Sequence, residues 1–199
     1  INPIVTSKRQ TRRQNLERLL RPRHIAVVGG RLLAEAVSVC RQYGFSGPVW
    51  PVSRSSQFVD GERCFESIES LPEGPDATLV LSSPQATNAT VAALARHGAG
   101  GVVCYASGYG ESGVQGQVLQ KALVQAAGEL AVVGPNCNGL ANFLDKLVLW
   151  PNAELPDPKS ASGVAVIAQS GAFLVNLCNI ERALPVVFAA GIGNQAVTD

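Results

Sequence analysis

The sequence has no methionine, only two histidines (His24 and His97), and no run approaching the ~18 consecutive apolar residues of a membrane span. No charged and then apolar leader opens it. No membrane partner is therefore expected. Without methionine, Ile1 is not expected to be an encoded start. The five cysteines (Cys40, Cys64, Cys104, Cys137 and Cys178) are scattered, odd in number and without C-x-x-C spacing. That excludes a disulfide framework and a zinc site, and it suits buried thiols in a reducing, cytoplasmic compartment. Charged residues make up 16% and the net charge is +1, which argues against a general nucleic-acid binder. The charge is uneven, however. Residues 1–23 hold seven Lys and Arg against Glu17 alone. A basic arm can serve a polyanion, but it also suits a solvated N-terminal helix before the first strand, which is the expectation here.

What is present is a core-forming chain, 46% hydrophobic over 199 residues. Short apolar runs alternate with helical stretches. Strands are expected at His24–Val28, Val49–Val52, Ala77–Leu81, Gly101–Cys104 and Leu130–Val133. Helices are expected near Leu32–Tyr43, Ser67–Leu71, Thr87–His97 and Gln115–Gly128. The strands read as continuous apolar runs, as in a parallel sheet buried on both faces. Repeated β-α-β order gives an α/β, Rossmann-like, doubly wound sheet. The domain is expected over 24–150, after the basic segment 1–23. The Pro- and Ser-rich stretch 151–162 reads as a linker. Residues 163–199 then read as the first βαβ part of a second α/β domain, with strand Gly163–Ile167, helix Ala172–Ala183 and strand Pro185–Ala190. So short a unit cannot bury both faces of a sheet by itself.

Each strand runs into a loop of small or polar residues, and ligands bind beyond such ends. Gly29-Gly30 precede a helix, where free N–H groups suit a phosphate; a tight strand–helix turn explains the pair equally well. No G-x-G-x-x-G is present. Where a NAD site wants an acidic residue, the second strand ends in Ser53-Arg54, and Arg54 suits a ribose phosphate, as found in NADP or CoA. It also reads as a solvated loop arginine. In GPNCNG (Gly134–Gly139), Asn136 offers a donor and an acceptor suited to a pantetheine amide. Cys137 has no nearby histidine to make it a nucleophile. In AQSGAF (Ala168–Phe173), Ser170, Gly171 and Ala172 suit an anion, or Ser170 simply caps the helix.

In order, LLRPRHIAVVGG, GFSGPVWPV, SLPEGPDATLVLSSP, ASGYGESG, GPNCNGLANF, GVAVIAQSGAF and GIGNQAVTD resemble the ADP-forming (NDP-forming) acyl-CoA synthetases over nearly all of residues 16–199. They are similar, more distantly, to the α subunit of succinyl-CoA synthetase. The resemblance implies a CoA-binding domain followed by a flavodoxin-like, succinyl-CoA synthetase-like one. It implies CoA contacts at Gly29, Gly30, Ser53, Arg54, Ser83, Pro84, Ser107, Gly108, Asn136 and Cys137. Gln169, Ser170, Gly171 and Ala172 would hold the phosphate of a phosphohistidine. Glu111 matches the acid of a GF-x-E-x-G motif, with its role open. The implied reaction joins acid, ATP and CoA to give acyl-CoA, ADP and phosphate. No catalytic residue and no metal site is expected in this chain. The histidine should lie beyond Asp199, and ATP, ADP and Mg2+ would enter through an ATP-grasp domain or subunit, in a homo- or hetero-oligomer. These 199 residues alone should not turn over.

The chain departs from the pattern in two of its loops. GGRLLAEAV is shorter than the usual first loop and lacks its second glycine, and Ser53-Arg54 replaces Asn-Pro. The short loop motivates an alternative, a catalytically inactive CoA or acyl-CoA sensing module. An NADP-linked oxidoreductase on the same fold is a further alternative.

Overall fold

The computed structural model describes residues 3–152, 155, 160–180 and 184–197. Most of the expected linker and the expected end of the last helix at 181–183 lie outside them. The elements of the first half are α1 (Pro3–Leu20), β1 (Ile25–Gly29), α2 (Leu33–Gln42), β2 (Val49–Val52), β3 (Phe58–Val59), β4 (Glu62–Arg63), β5 (Ala77–Leu81) and α3 (Pro84–Arg96). There follow β6 (Gly101–Cys104), α4 (Val114–Ala127), β7 (Ala131–Val133), β8 (Gly139–Asn142), β9 (Leu147–Leu149), β10 (Val164–Ala168), α5 (Gly171–Cys178) and β11 (Val186–Gly191). The expected helix near Ser67–Leu71 is one 3-10 turn, Ile68–Ser70.

Five parallel strands form the main sheet in the order β2-β1-β5-β6-β7. Alternate residues of these strands enter two cores. Ile25, Val27, Leu79 and Val103 pack with Leu19 of α1 and Val37 of α2. Ala26, Val80, Val102 and Cys104 pack on the other face with Leu94 of α3 and Leu123 of α4. Apolar residues on both faces explain the continuous runs seen in the sequence. The chain leaves β1 toward β2 on one side and toward β5 on the other. The crevice beyond the C-terminal ends of β1 and β5 is therefore the switch point where such sheets bind ligands.

The basic arm is fastened to the opposite edge of the sheet. Arg18 Nε reaches Asp76 Oδ1 at 2.7 Å, Arg23 Nε reaches Asp76 Oδ2 at 2.8 Å, and Arg12 Nε reaches Glu129 Oε2 at 2.9 Å. Asp76 and Glu129 precede β5 and β7. Much of α1 is exposed, as expected of a solvated helix, but Leu19 is fully buried against the sheet. His24 sits at this same edge, buried and stacked on Trp50 at 4.6 Å, with Nδ1 accepting the Asp76 N–H at 3.2 Å.

A second sheet has the order β10-β11-β8-β9. β10 and β11 are parallel, as the sequence implies. The other half is new: β8 runs antiparallel to β11, pairing Leu140 with Ala190, and β9 turns back on β8. Residues 139–149, read from sequence within the 24–150 unit, thus join the sheet that contains 164–191. Helix α2 lies between the two sheets. Its Val37 packs with Ile25 and Leu79 of the first sheet, Cys40 Sγ donates to Val148 O at 3.4 Å, and Val39 packs with Ala141, Val148 and Trp150.

Candidate functional site

Beyond the C-terminal ends of the parallel strands, one cavity of about 370 Å³ is lined by Ser82, Ser83, Pro84, Tyr105, Ala106, Ser107, Asn136, Cys137 and Asn138. It brings together five residues expected at a CoA site: Ser83, Pro84, Ser107, Asn136 and Cys137. Ser83 stands at the N-cap of α3, with Pro84 in the first turn, yet its side chain makes no capping hydrogen bond. Its hydroxyl is available to a ligand. Asn136 adopts φ +56°, a left-handed conformation that asparagine tolerates, and its N–H donates to Ala106 O at 2.8 Å. Cys137 contributes backbone rather than thiol. Its Sγ is buried and donates to Cys104 O at 3.3 Å, and burial pushes the thiol up to about 12. So poor a thiolate former is no nucleophile.

Gly108 offers less than expected. Its N–H and that of Tyr109 both donate to Glu111 Oε1, the latter at 3.1 Å, so neither amide is open to a phosphate. The other Glu111 oxygen, Oε2, accepts from Asn194 Nδ2, on the loop after β11. Burial raises the Glu111 carboxyl, but the Asn194 donor and the amides of Gly108 and Tyr109 outweigh it and hold the group below its ordinary value.

Ser53 and Arg54 line a separate cavity of about 640 Å³, with Ser55, Ser56, Phe58 and Arg63 among its walls. Phe58 and Arg63 come from the β3–β4 hairpin, which the strand reading above omits. Its signal is Asp60-Gly61, with φ +49° and +80°, the Asp-Gly turn that favours two-residue hairpins. Arg41 Nε holds the hairpin through Glu62 Oε1 at 2.9 Å. The hairpin therefore supplies a second guanidinium to the Arg54 pocket. Gly29 ends β1 where a Cβ would meet Leu81 Cβ at 2.7 Å, so a glycine is required for the strands to close. Gly30 is exposed and opens the turn into α2, whose N-cap Leu32 makes no side-chain cap. The first amides of α2 are free of side-chain partners there.

The Gln169–Ala172 loop meets this rim at GPNCNG. A Cβ on Gly171 would fall 2.2 Å from Asn138 Cγ, so the Asn138 side chain rests on the start of α5. Ser170 Oγ accepts from Phe173 N at 3.3 Å, which is the helix-capping role that the sequence also allowed. Gln169, Ser170 and Ala172 are exposed. Asn194 N donates to Pro135 O at 2.9 Å and Ala196 N to Gly134 O at 3.0 Å, fixing the loop after β11 to the same turn. Among the described residues no cluster of three or more His, Cys, Asp or Glu could hold a metal. No described helix is long and apolar enough to cross a membrane.

Residues 23–142 match the family model described as a CoA binding domain. The chain is 34% identical to a trans-feruloyl-CoA synthase of an unknown prokaryotic organism, over 96% of this chain and 29% of that protein. It is 30% identical to the α subunit of acetate–CoA ligase [ADP-forming] II of Pyrococcus furiosus, over 92% and 41%. Among solved structures, the apo dinucleotide-forming acetyl-coenzyme A synthetase 1 of Ca. Korarchaeum cryptofilum superposes with a TM-score of 0.82 at 25% identity, covering 92% of this chain and 41% of that one. The chain thus spans between about a quarter and two-fifths of the curated relatives it matches. The chain belongs to the CoA-binding domain family, and it resembles the α-subunit portion of the ADP-forming acyl-CoA synthetases.

Proposed function

We propose that the chain is the CoA-binding portion of an ADP-forming acid–CoA ligase, which converts acid, ATP and CoA to acyl-CoA, ADP and phosphate. The observation that carries this reading is the GPNCNG turn. One flank of it closes the cavity of Ser83 and Ser107, and the other bears the start of α5 through Asn138 and Gly171. A thiol brought along the first rim would arrive where exposed Ser170 and Ala172 can present N–H groups to a phosphate.

In this reading Arg54, with Arg63 beside it, pairs with the ribose phosphate of CoA. Gly29, Gly30 and the first turn of α2 face the pyrophosphate, and Ser53 adds a hydroxyl. Ser83, Pro84, Ser107, Gly108, Asn136 and the Cys137 backbone line the pantetheine path. Gln169, Ser170, Gly171 and Ala172 hold the phosphoryl group that is passed to the acid. The phosphate-carrying histidine is neither His24, stacked on Trp50 at the far edge, nor His97, the C-cap of α3. It belongs outside this chain, as does the ATP-grasp domain or subunit that brings ATP and Mg2+. The exposed Ile167 and Phe173 suit that partner. The short Gly30–Leu32 turn supports a second reading, a sensing module that binds CoA or acyl-CoA without turnover.

Calorimetry with CoA and dephospho-CoA tests the assignment. Wild type should prefer CoA by about five- to tenfold, and Arg54→Ala should lose most of that preference. Equal affinity of wild type for both ligands would remove the ribose-phosphate role. Acyl-CoA binding by the full-length protein without phosphohistidine formation would decide for the sensing module.

A further inference from the structure

Glu111, Gln120, Asn194 and Asn136 form one chain of hydrogen bonds leading into the cavity of Ser83 and Ser107. An ionised carboxylate only accepts hydrogen bonds. Glu111 Oε2 must therefore face the amide nitrogen of Asn194. Gln120 enforces the same choice. Its Oε1 accepts from Gly110 N at 3.1 Å, so the group it turns to Asn194 Nδ2, at 3.0 Å, is also an acceptor. With Nδ2 committed twice, Asn194 has only Oδ1 to offer Asn136, which must donate with Nδ2, at 3.3 Å. The Asn136 main-chain N–H is already spent on Ala106 O. What remains of the Asn136 side chain is Oδ1, an acceptor, and the second hydrogen of Nδ2.

We propose that Glu111 is a positioning residue that sets the polarity of the site: acting through Asn194, it turns Asn136 Nδ2 away to Asn194 and leaves the Asn136 carbonyl oxygen free, an acceptor for an N–H donor on the pantetheine arm. This inference rests on reading the cavity as the pantetheine path. It also answers what Glu111 does. The residue is 83 positions from Asn194 in sequence, yet it ties the first rim to the loop after β11. The carboxyl stays ionised because its donors outweigh burial, so the relay holds one sense at neutral pH.

Replacing Glu111 by glutamine leaves the shape but not the polarity. The substituted side chain can keep its oxygen on the amides of Gly108 and Tyr109 and turn its NH2 to Asn194. Asn194 then reverses as Gln120 gives up its Gly110 N–H and turns its own amide to it, and Asn136 reverses with it. Asn194→Asp on that background restores the original sense, because an aspartate accepts from both the introduced amide and Asn136 while Gln120 turns its own amide.

The test is calorimetry on the 199-residue chain with CoA and with two analogues, each carrying an ester oxygen in place of one pantetheine amide N–H. Wild type should bind one analogue about three- to tenfold more weakly than CoA, the worth of one hydrogen bond. E111Q, checked for an unchanged fold by circular dichroism, should lose that gap, and E111Q/N194D should recover it. An unchanged gap in folded E111Q overturns the relay while CoA binding stands. So does a wild type that binds both analogues as tightly as CoA. No binding of CoA to wild type at millimolar concentration overturns the pantetheine reading itself, and the relay with it.

Discussion

Asp76 is the residue on which the lower edge of the molecule depends. Its carboxylate is almost fully buried and accepts from Arg18 Nε, Arg23 Nε and the Arg23 backbone N–H at 2.7–3.0 Å. Burial alone would raise its pKa. The Arg23 and Arg18 donors outweigh it and hold the group far below the ordinary range. A depressed folded pKa gives stability that is fully present above the unfolded value of about 3.9 and is lost as pH falls toward the folded one. Asp76→Asn should therefore cost about 1–3 kcal/mol at pH 7, since it takes a charged acceptor from two partly exposed guanidiniums and buries a poorly matched amide in its place. It should also flatten the acid limb of a denaturant-midpoint titration below pH 4. An unchanged acid limb would show that other carboxylates govern it. Nothing in the sequence singled out Asp76. A lone acid before an apolar strand looks like any other, and its partners lie 53 and 58 positions away. Arg63 and the role of Glu111 escaped for the same reason. By contrast Ser83, Ser107 and Asn136 were legible, because strand-end loops of a parallel sheet converge whatever their separation in sequence.

Among the elements, α4 packs closely on the loop that carries Ser107. Gly116 lies on its first turn, and a Cβ there would stand 1.8 Å from Tyr109 O. The loop 106–109 can approach α4 only because this glycine is bare. Gly116→Ala should destabilise the fold by about 1–3 kcal/mol. It should also weaken CoA binding severalfold, because relief of the clash moves Tyr109 and with it Ser107; calorimetry at a temperature where the variant is folded separates the two. If the variant bound CoA as wild type does, α4 would not set the position of the rim. The parallel strands were readable because each is an apolar run that ends in a loop. β8 and β9 were not. They have four and three residues, and the segments LANF and LVLW look like the tail of the preceding strand. Only the pairing of β8 with β11, far along the chain, and of β9 with β8 makes them strands. The stretches between the apolar runs placed α2, α3 and α4 within a few residues, but no N-cap side chain of the three makes a capping hydrogen bond.

On the scale of the whole molecule, one sheet is sealed on both faces and the other is not. The apolar strand β10 is largely exposed, with Ile167 at 65% and neighbouring Phe173 at 55% exposure. Apolar groups on an unpaired edge strand invite association. The 199-residue chain should therefore self-associate at micromolar concentration in sedimentation experiments, and the double variant Ile167→Lys, Phe173→Lys should shift it toward monomer. Oligomers that persist in that variant would place the contact elsewhere. The sandwiching of α2 has a different consequence, for anyone building chimeras. Because Leu140, Leu147 and Leu149 share a core with Ile25 and Val37 while their hairpin pairs with β11 through β8, a crossover placed near position 150 would join hairpin and partner strand from different parents. A recombinant cut just ahead of Gly134 would instead carry turn, hairpin and second sheet together as one heritable block. Its mismatched seams would then be the apolar face of α2 and the polar contacts of Glu111 with Asn194 and of Ala106 with Asn136.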